Sequence, residues 1–281
     1  MKRFIAVLAV VSVLASSMAS AESTPSAGRG LLVTPLRDYI HVDPGKTAND
    51  KIGVGNLTSQ AMDVTLSTQQ FSVADYTYDY KFSAPKENWV KLQETQLHLA
   101  PGVSKEIPYT VAVPTKGAPG GHYFTIFASA SVGGGKEIRA AEVLYVTVTG
   151  DLIQTSTIKK DELPRVSFGG NIPFSLDVRD TGNTHFFVYA SGHLETWWST
   201  GQASEEAHLL LPKTTRTVSS EIASPLLPGV YKAVYGYRTE SGERTERSKF
   251  IVYLPVWSIV AFVGLCGLVA LFVKKRKRST N

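Results

Sequence analysis

Outside one C-terminal run, no stretch of this chain sustains an apolar pattern of helical period. Short alternating or β-branched runs recur instead, broken by Gly, Pro, Asn and Ser. Met62–Leu66, Glu106–Val113, Tyr123–Phe127, Val143–Thr149 and Val230–Tyr237 are examples. In the last, Tyr231, Ala233, Tyr235 and Tyr237 fall on the face opposite Val230 and Val234, because successive side chains of a strand point to opposite faces. Strands that divide their residues in this way are what packed sheets require, so the pattern predicts β-sandwiches.

The plan repeats. Leu99-Ala-Pro-Gly102 precedes one strand and Pro119-Gly-Gly-His-Tyr123 opens the next; later, Leu211-Pro-Lys213 and Pro228-Gly-Val-Tyr231 do the same. The interval is 22 residues from Pro101 to Tyr123 and 19 from Pro212 to Tyr231. Glycine in each Pro-Gly pair supplies the turn, and an Asn lies upstream of each unit, at 56 and 183. Two successive sandwiches of similar topology are predicted, at 28–150 and 163–252, with the polar stretch 151–162 as linker.

The two ends differ in kind. Lys2 and Arg3, the apolar run Phe4–Leu14 and Ala19-Ser20-Ala21 read as a secretory signal spanning 1–21. Val256–Val273 is eighteen residues without charge, followed by Lys274, Lys275, Arg276, Lys277 and Arg278. Eighteen residues make about 27 Å of helix. The expectation is therefore a single-pass membrane protein: a transmembrane helix over 254–273, a cytoplasmic basic tail over 274–281, and the sandwiches outside the cell.

Charge reflects the same layout. Of 29 basic residues, seven lie at the ends, leaving 22 against 24 acidic ones, a balance near −2 for the remainder. That gives no electrostatic footprint for nucleic acid. The only cysteine, Cys266, is within the C-terminal run, so the sandwiches hold no disulfide and must be stabilised by their own cores. An exported region without cysteine suits a bacterial cell envelope.

At this point the chain resembles a family. Leu32-Val-Thr-Pro35, Val42-Asp-Pro-Gly45, Gly53-Val-Gly-Asn56, Val64-Thr-Leu66, Asp79-Tyr80, Leu97-His-Leu-Ala-Pro-Gly102 and Pro119-Gly-Gly-His-Tyr123 are similar to the first extracellular domain of the WxL-interacting proteins of Gram-positive bacteria. The resemblance implies an all-β fold: two tandem immunoglobulin-like β-sandwiches followed by one C-terminal transmembrane helix. It also implies a first domain associated with peptidoglycan and a second associated with a surface protein partner.

Catalytic motifs are few. Asp180-Thr181-Gly182 spells the aspartic-protease tripeptide, but no second copy exists to share a proton. It reads as a polar turn after Phe174–Val178. Gly133-Gly-Gly-Lys136 lacks the spacing of a phosphate loop. No enzyme activity, cofactor or metal is expected. The aromatics are the better binding candidates. Tyr76, Tyr78, Tyr80 and Phe82 alternate, so in a strand they would line one face, either exposed to stack sugar rings or buried as core. Of Trp197 and Trp198, at most one can be core; Trp198 joins Tyr76, Tyr78 and Tyr80 as a ligand-binding candidate. Trp89 is expected to plug the first core.

Three functions compete. One is a membrane-held binding or scaffold protein contacting cell-wall glycan or another surface protein. Another is a chaperone-like secretion or surface-assembly factor that presents a sheet edge to a client, which an unusually long unpaired edge strand would favour. The third is a sortase-attached wall protein, but Leu254-Pro255 is followed by Val256-Trp257 rather than the Thr-Gly that sortase cuts.

Overall fold

The computed structural model describes residues 30–132, 136–196 and 205–279. The expected signal 1–21, the Gly-rich tip at 133–135 and Trp198 lie outside these. The first sandwich contains β1 (Leu31–Thr34), β2 (Arg37–Val42), β3 (Thr47–Asn56), β4 (Met62–Val73), β5 (Tyr80–Ser83), β6 (Val90–Leu92), β7 (Gln96–Leu99), β8 (Ser104–Ala112), β9 (Gly120–Val132) and β10 (Lys136–Val148). One sheet has the order β1-β3-β8-β6; the other runs β2-β10-β9-β4-β5, with β7 also on β4. Between β1 and β2 the chain crosses from one sheet to the other at Pro35 and Leu36, so β1 pairs antiparallel with β3 while β2 runs parallel to β10.

The second sandwich contains β11 (Ser156–Glu162), β12 (Val166–Ser167), β13 (Ile172–Asp180), β14 (Phe186–Glu195), β15 (Glu206–Leu210), β16 (Thr215–Ile222), β17 (Gly229–Thr239) and β18 (Arg244–Tyr253). Its sheets are β11-β13-β16 and β12-β18-β17-β14-β15. β11 occupies part of the stretch expected as linker, so the connection between sandwiches is shorter than 151–162.

Period-two alternation builds both cores. Ile107, Tyr109 and Val111 of β8 face Leu144, Val146 and Val148 of β10 across the first interior, and Trp89 is buried among them as expected. Ile172, Phe174, Leu176 and Val178 meet Tyr231, Ala233, Tyr235 and Tyr237 in the second, with Val230 exposed on the other face. Each such buried side chain contributes roughly 1.5–3 kcal/mol. A third, smaller cluster joins the two sandwiches: Phe71, Val73, Val143 and Tyr145 pack with Leu209 and Leu211.

The C-terminal run forms α1, Val256–Ser279. Its apolar side chains, including Val260, Phe262 and Leu265, are exposed rather than packed on a sandwich. Among the described residues no helix is long and apolar enough to cross a membrane. The expected single-pass location, with its transmembrane helix at 254–273 and cytoplasmic tail, is corrected accordingly.

Candidate functional site

The predicted aromatic stripe does not form as one strand face. β4 ends at Val73 and β5 begins at Tyr80; between them the backbone folds on itself, with Ala74 N–H donating to Asp79 O at 2.9 Å and Tyr78 N–H to Ala74 O at 3.1 Å. Tyr76 and Tyr78 have φ of 66° and 60°, a left-handed conformation costly for residues with a Cβ. Contacts with the second sandwich hold them there. Tyr76 N–H donates to Thr215 O at 2.6 Å, and Asp75 Oδ1 accepts Thr215 N–H at 2.7 Å. The Tyr78 hydroxyl lies 2.7 Å from Thr214 Oγ1 and accepts Leu211 N–H at 2.9 Å. Arg216 covers its ring at 4.7 Å. Burial raises the pKa of that hydroxyl. Tyr78 therefore clamps the joint, while Tyr76 stays exposed.

Tyr80 and Phe82 belong to a different surface. Their rings are parallel within 5°, with centroids 5.9 Å apart, and both are partly exposed on the outer face of the six-stranded sheet. Phe71 and Phe127 support them edge-on, and Tyr80 hydroxyl bonds Tyr145 hydroxyl at 3.0 Å. Tyr145 stacks on Tyr39 at 5.0 Å and touches His185 at 5.3 Å, which carries the aromatic chain into the joint.

Backbone contacts fix the joint as well. A Cβ at Gly120, whose φ is +128°, would sit 2.4 Å from Asn183 O, so only glycine allows this approach. Asn183 O accepts Gly121 N–H at 2.8 Å, while its side chain accepts Ile153 N–H and donates to Asp151 O, each at 2.8 Å. Asn56, the other upstream Asn, is fully buried and donates to Leu99 O at 3.0 Å. Asp180 behaves as the expected turn former: its Oδ1 accepts Gly182 N–H at 2.7 Å. Its Oδ2 is buried without a partner. Burial raises its pKa to about 7 despite the Gly182 N–H, and burial, with His41 adding, lowers that of His185 to about 4. Both shifts favour the neutral form. The joint thus loses stability above pH 4 as unfolded Asp180 ionises, until about 7, and below 6.5 as unfolded His185 protonates, until about 4.

A second feature is the outer edge of β10. β2 pairs with β10 only from Val143 to Val148. Among the described residues no strand pairs with the stretch from Lys136 to Glu142 on that side. Val143 N–H donates outward to Leu36 O at 3.1 Å. By alternation, the N–H and C=O of Glu137, Arg139 and Ala141 also face outward. On the inner face of this stretch, Ile138 and Ala140 are only partly buried, as is Leu31 of β1 across the sandwich flank. The flank is open.

β18 occupies the same place in the second sandwich: last strand, antiparallel to a long hairpin partner, with short parallel β12 covering Val252 and Tyr253 alone. Its free inner-face positions carry Arg247 and Lys249, and Lys249 pairs with Asp161 of β11 across the flank. Tyr235 hydroxyl donates to the same carboxylate. Inward charges are a known guard of sheet edges. That flank is shut.

From sequence, neither Ile138 and Ala140 nor Tyr39 and Tyr145 stand out, since edge status and joint contacts depend on pairing partners far along the chain. A β-branched run at Val143–Thr149 was the only local signal of β10.

The fold defines a tandem β-sandwich protein. No family model matches the chain, and no curated protein matches it. Solved structures similar to it include the class 5 fimbriae chaperone CfaA (11% identity, 80% of this chain and 100% of that one, TM-score 0.44). Another is a chain of a chaperone–tip adhesin complex of CFA/I fimbriae (12%, 80% and 99%, 0.43). A third is the Escherichia coli chaperone DraB (12%, 79% and 96%, 0.39). At these scores the likenesses carry no functional weight, and the resemblance to WxL-interacting proteins stays an expectation.

Proposed function

We propose that this chain is a binding protein of chaperone-like or surface-assembly type, which takes up an extended segment of a partner protein by strand addition at the outer edge of β10. The observation that carries this reading is the unpaired stretch from Lys136 to Glu142, flanked by half-buried apolar side chains where the equivalent stretch of β18 carries a salt bridge across its flank. An added strand would satisfy the outward groups of Glu137, Arg139 and Ala141 and set alternate side chains over Ile138, Ala140 and Leu31. The test uses fluorescein-labelled, acetylated peptides of alternating apolar and polar residues, titrated against the purified chain by anisotropy. Binding that disappears in Ala141→Pro, which removes an outward N–H without touching the β9 ladder, supports the reading; absence of binding, or binding indifferent to that change, overturns it.

A second reading, glycan contact by ring stacking, is favoured by the partly exposed, parallel rings of Tyr80 and Phe82. Sedimentation with purified peptidoglycan, lost in Phe82→Ala, would support it; no sedimentation would remove it.

A further inference from the structure

We propose that Asp38, Asp50 and Glu142 form a receptor for one basic side chain, lysine or arginine, carried by the segment that adds to β10. The inference rests on the strand-addition reading and gives it a sequence preference.

Glu142 follows Ile138 and Ala140 on the inner face of β10. It is fully buried, and among the described residues neither carboxylate oxygen has a hydrogen-bond partner. Such a group costs several kcal/mol if ionised and unanswered. Its charged neighbours have the same sign. Asp38, from β2, and Asp50, from β3, both raise its pKa, after burial itself, to about 8. Asp38 accepts a hydrogen bond from the buried Tyr109 hydroxyl at 3.0 Å and its pKa is raised too, by burial first. The nearest lysine in sequence, Lys51, is engaged elsewhere, with Glu106 at 2.7 Å. Asp50 is exposed, Asp38 half-buried and Glu142 buried, so the three run from the surface inward.

The chemical complement of three acidic groups is a cation, and geometry limits its kind. Among the described residues no group of three or more such ligands is arranged to hold a metal ion. An ammonium or guanidinium on a flexible stem suits spread acceptors better, since it presents three or five donors rather than one centre. A strand added to β10 places its inner-face side chains about 5 Å from Ile138 and Ala140 and about 7–8 Å from the next inner position, Glu142, within reach of a long basic side chain.

The test compares three acetylated peptides, identical except for lysine, norleucine or glutamate at the inner-face position nearest Glu142, titrated against the purified full chain. The lysine peptide should bind about tenfold tighter than the norleucine peptide. Glu142→Gln should erase that preference while keeping norleucine affinity; Asp50→Asn, at an exposed position, should reduce it and serves as the check should Glu142→Gln fold poorly. Equal affinity for lysine and norleucine, or a preference that survives both substitutions, overturns the receptor while leaving strand addition standing. Binding by none of the three removes strand addition and the receptor together.

Discussion

The last strands of the two sandwiches, β10 and β18, share a topological position and differ in what they turn inward. Each lies between a long antiparallel partner and a short parallel strand that covers one end only. On the uncovered stretch, β18 carries Arg247 and Lys249 on its core-facing side, both exposed, and Lys249 reaches Asp161, bridging the flank. β10 turns Ile138, Ala140 and an unpartnered Glu142 inward, leaving its flank with apolar rims and an unanswered carboxyl. A few side chains thus distinguish a bridged edge from the one at which strand addition is proposed. The lesson is that edge strands are governed by their inward positions rather than by the charges they show to solvent.

That contrast can be broken most strongly on the closed side. Asp161→Ala leaves Tyr235 hydroxyl and Lys249 without their shared acceptor. It should destabilise the chain by about 2–3 kcal/mol, read as a lowered urea midpoint, while peptide binding at β10 is unchanged. A stability equal to wild type would show that the flank is not held by this pair.

Next comes the buried acid of the open side. Glu142 has its pKa raised from 4.5 to about 8, so the folded chain keeps a proton that the unfolded chain has lost between those values. Stability is fully present below about 4.5, falls as pH rises through the window, and is lost by about 8. Glu142→Gln should therefore match wild type near pH 4 and exceed it above pH 8, by about 1–3 kcal/mol, in urea unfolding at the two pH values. A variant less stable than wild type above pH 8 contradicts the assignment.

Smaller in free energy, but most direct, is a matched pair of prolines. Ala141→Pro and Ser248→Pro each remove an outward N–H from an uncovered edge, because Val143 and Val252 donate outward to Leu36 and Arg165. Only the first should weaken peptide binding, about tenfold, or ~1.4 kcal/mol. Equal effects would erase the distinction between the edges. Least of all should Glu246→Gln matter: its Arg244 partner is 4.0 Å away and exposed, so a change within about 0.5 kcal/mol is expected by thermal melting. A larger loss would mean that outward charges, not inward ones, guard β18.

By itself the sequence determined the elements. Alternation at Met62–Leu66 and Val230–Tyr237 predicted strands that divide their residues between two faces, and the repeated Pro-Gly signals pointed to two sandwiches, because side-chain direction along a strand is set by the backbone within a few residues. Asp180 was legible as a turn former for the same local reason. The tertiary structure alone decided the rest. Tyr76 and Tyr78 alternate on paper, yet the second sandwich holds both at positive φ and converts Tyr78 into a clamp on Thr214 and Leu211. The stretch 151–162 is polar enough to read as linker, yet β13 recruits part of it as β11. The apolar run after Tyr253 formed a helix, but its expected membrane crossing did not survive the described residues. Whether β10 has a neighbour depends on where β2 turns away, more than a hundred residues earlier. Pairing and burial are properties of chain segments that meet, and no local pattern contains the partner.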